Sequence, residues 1–173
     1  ASLARGEWTS GPGVELTGKT VGLLGLGGIG TYVARLLNAF GCRVLCWTRN
    51  ADARRAQETG VEFVDLPELF DESDVVSLHL MLTEETRGIV GADLLERLRP
   101  GALLVNTARA ELVDEEALVR LLRLERIRAA IDVYSVEPLP QDHLFRGVPG
   151  VVMTPHVGYD TPEALDRMME KAR

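Results

Sequence analysis

The sequence predicts an α/β fold, a parallel sheet doubly wound by helices on both faces, and three observations predict it. Strand-length apolar runs alternate with helical segments almost from end to end. The runs are short and close to continuously apolar, as strands buried on both faces require. A glycine-rich turn, Gly25-Leu26-Gly27-Gly28-Ile29-Gly30, joins the first such run to the first helical segment.

Thr20–Gly25 reads as the first strand and Ile29–Phe40 as an amphipathic helix stopped at Gly41. Arg43–Trp47 is a second strand, followed by a charged helix over Ala51–Thr59 and a short strand at Val61–Val64. Leu66–Phe70 gives one or two helical turns begun near Pro67. Asp74–Leu78 and Ala102–Asn106 are strands flanking a helix, Gly91–Leu98, that Pro100 terminates. Val113–Leu124 has helical spacing, with Asp114, Glu115 and Glu116 where carboxylates favour the helix dipole. Arg128–Asp132 and Val151–Met153 complete the strands, and a last helix starts near Pro162 with Thr161 as its cap. Thr9–Gly18 is an irregular lead-in.

The 173 residues fit one domain, residues 1–173, with 46% hydrophobic residues excluding a disordered chain. No apolar run approaches the roughly 20 residues of a membrane-spanning helix, so no membrane partner is expected. A net charge of −7 argues against nucleic acid, which selects a basic footprint. The arginines between Arg120 and Arg128 read as a solvated helix face. Ala1–Gly6 carries charge and lacks the apolar core of a signal peptide. Cys42 and Cys46 lie on one face of one strand, where a mutual disulfide is geometrically unfavourable. Buried free thiols and a cytoplasmic location are the expectation.

The turn fits G-x-G-x-x-G in its proper strand–turn–helix context, the signature of a Rossmann-type dinucleotide site. Gly25 permits the tight turn, Gly27 lets backbone approach a pyrophosphate, and Gly30 allows close helix–strand packing. Gly28 and Ile29 begin the helix whose free N–H groups and dipole face the phosphates. An NAD site places a carboxylate about 20 residues on, for the ribose 2′-hydroxyl. Here the second strand ends in Thr48-Arg49, and the next carboxylate is Asp52. A hydroxyl followed by a guanidinium suits a 2′-phosphate, hence NADP, with Arg54 and Arg55 adding positive charge nearby. The alternative is NAD, with Arg49 a solvated loop residue.

Three later segments carry a resemblance. Leu103-Leu104-Val105-Asn106-Thr107-Ala108-Arg109 with Leu112-Val113-Asp114-Glu115, Ile131-Asp132-Val133 with Glu137-Pro138-Leu139-Pro140, and Thr154-Pro155-His156-Val157-Gly158 with Thr161 occur in that order. Together with Leu16-Thr17-Gly18-Lys19-Thr20 and Leu78-His79-Leu80 they resemble the D-isomer-specific 2-hydroxyacid dehydrogenases over nearly the whole chain. The resemblance implies hydride transfer between NAD(P)H and a small 2-keto or D-2-hydroxy acid, glyoxylate and hydroxypyruvate being plausible beside Thr48-Arg49. It implies His156 as general acid and base, Glu137 as the partner of its other ring nitrogen, and Arg109 as the clamp on the substrate carboxylate. Thr107, Ala108, Arg109, Asp132, His156 and Gly158 join the expected dinucleotide contacts, Asp132 on the nicotinamide side.

Departures from the family pattern are Ala110 in place of Gly, Met81 in place of Pro, and Thr48 in place of the acidic residue. Glu137 argues against the formate dehydrogenase branch, which carries Gln. Family members are near twice this length, so most of their substrate domain is absent, and the isolated chain is expected to bind dinucleotide with little or no turnover. The intact protein is expected to be a homodimer. Some relatives act in transcriptional corepression, so a dinucleotide-sensing interaction module is the rival reading. His79 and His143 lack partners at metal-ligand spacing, and no metal is expected.

Overall fold

Strands β1 (Thr20–Leu24), β2 (Arg43–Trp47), β3 (Glu62–Phe63), β4 (Val75–Leu78), β5 (Leu103–Asn106), β6 (Arg128–Ile131) and β7 (Val151–Met153) alternate with helices along the chain. The helices are α1 (Gly28–Ala39), α2 (Ala53–Thr59), α3 (Leu66–Glu72), α4 (Ala92–Arg97), α5 (Glu115–Arg123) and α6 (Pro162–Lys171). The computed structural model describes Arg5, Gly6, Trp8 and residues 13–171. The start of the lead-in at Thr9, and most of Ala1–Gly6, lie outside the described residues.

All pairings are parallel, in the order β3-β2-β1-β4-β5-β6-β7. The strand order reverses between β1 and β4, and at such a switch point the loops at the carboxyl ends diverge to leave a crevice. Side-chain alternation divides the core in two. Val21 and Leu23 of β1 with Val44 and Cys46 of β2 pack under α1 and α2, joined by Ala34 and Val61. Leu24, Leu45, Val76, Leu78, Leu104, Ala129 and Ile131 point the other way, against α3, α4 and α5.

Helices pack on both faces of the sheet, as expected, though not over its whole width. Over β4 to β7, the face shared with α1 and α2 has no helix against it among the described residues. Val75, Leu103 and Ala130 are half-buried there, and Val152 is 65% exposed. An open cleft of ≈ 580 Å³ lies on this face, lined in part by Val14, Leu16, Val75, Leu103, Ala130 and Val152. The apolar runs mark these positions as strand without saying what covers them. Helix α1 likewise leaves Ile29, Tyr32, Leu36 and Phe40 exposed at helical spacing.

Helix starts follow side-chain chemistry. Asp52, Asp65, Asp114 and Thr161 each accept a hydrogen bond from a first-turn backbone N–H, on Arg54, Glu68, Ala117 and Ala164 respectively. The Asp52 cap explains why α2 begins two residues later than the expected Ala51. A 3-10 turn at Ala110–Leu112, not expected from the sequence, precedes α5. Cys42 and Cys46 are free and buried on the same face, and burial pushes the Cys46 thiol up to about 12, leaving it inert at neutral pH.

Candidate functional site

The glycine turn owes its shape to backbone approaches that a Cβ would block. Gly25 has φ +103, and its N–H donates to the Trp47 carbonyl oxygen at 2.8 Å. A Cβ there would lie 2.7 Å from the His79 carbonyl oxygen, and a Cβ on Gly30 would lie 2.2 Å from the Gly25 carbonyl oxygen. Gly27 and Gly28 are different: a Cβ on either meets no atom within 4 Å. Gly27 is also the N-cap of α1, and no side chain caps the helix. The first-turn N–H groups and the positive end of the dipole therefore face open space, an arrangement that suits a pyrophosphate.

Beside the turn, Ile29, Leu78, His79, Met81, Thr107 and Arg109 are among the residues lining an open cleft of ≈ 440 Å³. His79 is half-buried, with Nε2 3.0 Å from the Ser77 hydroxyl, and burial holds its pKa below the ordinary imidazole value. At the end of β2, Thr48 is half-buried and Arg49 exposed. Arg49 Nη1 meets Glu85 Oε2 at 2.5 Å. Arg54 pairs with Glu58 at 2.8 Å, and Arg55 donates to the Leu26 carbonyl inside the glycine turn. Each of the three arginines near this end thus has a protein partner.

The second cluster stands at the ends of β6 and β7. His156 Nδ1 lies 2.9 Å from Glu137 Oε2, and Glu137 Oε1 accepts the Tyr134 backbone N–H at 3.0 Å. The contact with His156, then that with Tyr134, holds the Glu137 carboxyl below the ordinary range. A carboxylate facing Nδ1 fixes the ring proton there, leaving Nε2 as the nitrogen without a protein partner among the described residues. Tyr159 meets the imidazole edge-on, ring centroids 5.5 Å apart. His156 itself has φ +54, a left-handed conformation uncommon outside glycine.

Asp132 holds that backbone in place. Its Oδ1 accepts from the Thr154 hydroxyl at 2.5 Å and the Val157 N–H at 3.0 Å, and its Oδ2 from the Gly158 N–H at 2.9 Å. Burial works against its charge, but the Thr154, Val157 and Gly158 donors outweigh it, and the carboxyl titrates below its ordinary range. A Cβ on Gly158 would sit 3.0 Å from Asp132 Oδ2, so this close approach favours glycine.

A family model described as D-isomer specific 2-hydroxyacid dehydrogenase, NAD binding domain, matches residues 1–158. The chain belongs to that family. It is 43% identical over 157 residues to the glyoxylate reductase of Aeropyrum pernix, covering 90% of this chain and 47% of that protein. It is 42% identical over 173 residues to the hydroxypyruvate reductase of Thermotoga maritima, covering 96% and 55%. An acyclic imino acid reductase solved in complex with NADPH and D-Arg superposes with a TM-score of 0.88, at 32% identity over 99% of this chain and 55% of that one. The chain thus spans about half the length of these relatives.

Within this dehydrogenase domain the structure joins some candidates and separates others. His156, Glu137, Asp132 and Gly158 form one connected group. Gly25, Gly27, Gly28, Ile29 and Gly30 form another, with Thr48 and Arg49 at the neighbouring strand end. Thr107, Ala108 and Arg109 follow β5, between the two groups in sheet order. Arg109 is exposed, and its Nη1 donates to the Ala108 carbonyl at 2.6 Å.

Sequence reading missed two residues that shape these loops. Asn106, 2% exposed, donates to the Arg109 carbonyl at 2.8 Å and accepts the Ala108 N–H at 3.0 Å, pinning the Arg109 loop. Its signal was a polar residue ending an apolar strand. Arg55, grouped in the sequence with a phosphate-binding charge, instead braces the glycine turn. His143 is packed between the Tyr134 and Phe145 rings, its Nε2 3.8 Å from Glu115. No group of three or more potential metal-ligating side chains occurs among the described residues, nor a helix long and apolar enough to cross a membrane. Ala110 is not in the left-handed region, so its turn has no need of the family's glycine.

Proposed function

We propose that the intact protein reduces a small 2-keto acid of the glyoxylate or hydroxypyruvate kind to its D-2-hydroxy acid, or runs the reverse, with NADP(H) preferred over NAD(H). The whole chain, residues 1–173, is read as one dinucleotide-binding domain. The observation that carries the catalytic reading is the 2.9 Å contact of His156 Nδ1 with Glu137, which leaves Nε2 to face a substrate. The nicotinamide, when bound, supplies or receives the hydride. His156 Nε2 would give a proton to the carbonyl oxygen on reduction and take it back on oxidation. Glu137 would orient the ring and offset the imidazolium charge. Arg109 would leave its own Ala108 carbonyl to bind the substrate carboxylate through its paired donors.

The open front of Gly27 and the uncapped start of α1 support the phosphate site, and Thr48 with Arg49 supports NADP. The names of the relatives, a glyoxylate reductase and a hydroxypyruvate reductase, favour an enzyme over a sensing module. The exposed apolar stripe of α1 supports a homodimer of the intact protein, and the free thiols suit the cytoplasm.

The test is steady-state turnover of the intact protein with a panel of 2-keto acids and both reduced cofactors. His156→Asn is expected to lower kcat by roughly 10²- to 10⁴-fold while dinucleotide affinity is kept. Undiminished turnover by that variant would remove His156 from the mechanism. Binding of dinucleotide by the intact wild type, with no keto acid turned over, would favour the sensing module.

A further inference from the structure

We propose that Glu85 sets how strongly this domain discriminates NADP from NAD, by holding Arg49 and contesting the 2′-phosphate for it. The inference rests on the reading of Arg49 as the phosphate clamp, and deepens it. The end of β2 lacks a carboxylate of its own, yet the structure brings one there from elsewhere: Glu85 lies in the loop after β4, and its Oε2 meets Arg49 Nη1 at 2.5 Å. Strands β2 and β4 flank β1. The pair therefore spans from one neighbour of the glycine turn to the other, on the side where the adenosine ribose of a dinucleotide lies in this fold.

The carboxylate stands on an ordered support. Thr86, 2% exposed, accepts the Thr83 N–H at 2.8 Å and donates its hydroxyl proton to the Met81 carbonyl at 2.7 Å. The Arg87 N–H closes the same turn on the Thr83 carbonyl at 2.9 Å, and the Gly88 N–H reaches the Glu111 carbonyl at 2.8 Å. The loop that carries Glu85 is thus tied at several points, including the position where Met81 replaces proline.

A 2′-phosphate carries about −1.5 to −2 charges at neutral pH. To reach Arg49 it must displace Glu85, and afterwards it remains near that displaced carboxylate. A ribose 2′-hydroxyl asks neither. With side chains 53% and 73% exposed, the pair is weak enough for a phosphate to break, yet strong enough to bias the choice. Glu85 therefore narrows an NADP preference that Thr48 and Arg49 would otherwise make wide, and leaves NAD usable.

The experiment is calorimetric titration of the 173-residue chain with NADPH and NADH, for wild type, Glu85→Gln and Arg49→Gln, at low and high salt. Glu85→Gln is expected to tighten NADPH about three- to tenfold and to leave NADH within about twofold. The gain should shrink as salt rises from about 0.01 M to about 1 M, because it is a charge effect. Arg49→Gln is expected to weaken NADPH selectively. If it does, while Glu85→Gln leaves the NADPH to NADH ratio unchanged or shifts both cofactors equally, the role of Glu85 is refuted and the clamp stands. If Arg49→Gln leaves NADPH affinity unchanged, the clamp reading fails and this inference fails with it.

Discussion

Two regions of the sheet's carboxyl edge hold their loops by different means. Around β1 the turn is fixed by backbone meeting backbone: Gly25 and Gly30 approach carbonyl oxygens at distances a Cβ would violate. Around β6 and β7 a buried carboxylate does the fixing, with Asp132 gathering a hydroxyl and two amides from a segment more than twenty residues away. The first device is steric and tolerates one residue type. The second is long-range and electrostatic, so it depends on charge and on pH. The exposed parts of the two regions differ in the same way, an uncapped helix start in one and a His156–Glu137 hydrogen bond in the other.

The largest effect should come from the glycines. Gly30→Ala drives a methyl group to 2.2 Å from the Gly25 carbonyl oxygen, and backbone must shift to relieve it. A loss of about 3 kcal/mol in unfolding free energy is expected by urea titration. Gly27→Ala sharpens the contrast, since its methyl meets nothing and its φ of −74° suits alanine. Stability should stay within about 0.5 kcal/mol of wild type. Dinucleotide affinity should nevertheless fall at least tenfold, about 1.4 kcal/mol. Unaltered affinity in Gly27→Ala would show that the pyrophosphate lies elsewhere.

Next comes Asp132. In Asp132→Asn one acceptor oxygen becomes an NH₂ group that faces an N–H or hydroxyl donor, and a buried charge-assisted network is broken. A loss of about 2–3 kcal/mol at neutral pH is expected. The sign of its pH dependence follows from the depressed carboxyl. A group whose pKa is lower folded than unfolded stabilises fully above its unfolded value, about 3.9 for Asp, and ceases to as pH falls through the folded value. The gap between wild type and Asp132→Asn should therefore be constant above about pH 5 and close on further acidification. A gap that persists undiminished at about pH 2 would mean the loss is one of packing alone.

This contrast also explains what was legible in the sequence. Elements with local causes could be read: β2 occupies Arg43–Trp47 and β7 Val151–Met153 as expected, and the cap at Thr161 is where the pattern put it, while Asp114, expected within the first turn of its helix, caps that helix instead. The glycine turn was legible because its spacing encodes its geometry. The uncovered face over β4 to β7 was not, since a continuously apolar strand reads as buried on both faces whether or not a helix lies upon it. The partners of Arg49, Arg55 and Asp132 were equally hidden. Glu85 is 36 residues from Arg49 and Leu26 is 29 from Arg55, and no periodicity links them. His156 and Glu137 were named from motif resemblance, and their contact at 19 residues' separation is a product of the fold.

The smallest thermodynamic effect belongs to Glu137, and it has the most specific signature. Its side chain is 38% exposed, so solvent screens the pair, and Glu137→Gln should cost less than about 1 kcal/mol of stability. The amide can still accept the Tyr134 N–H through its oxygen, which turns its NH₂ group toward His156 Nδ1. That nitrogen must then accept, and the ring proton moves to Nε2. ¹⁵N spectra recorded where the ring is neutral should show the Nδ1–H tautomer in wild type and the Nε2–H tautomer in the variant. A neutral ring with its proton on Nε2 presents a poor donor and no base to a substrate, so a small change in stability would accompany a large one in proton transfer. If both proteins show the same tautomer, Glu137 does not orient the ring, and the backbone held by Asp132 is sufficient to place His156.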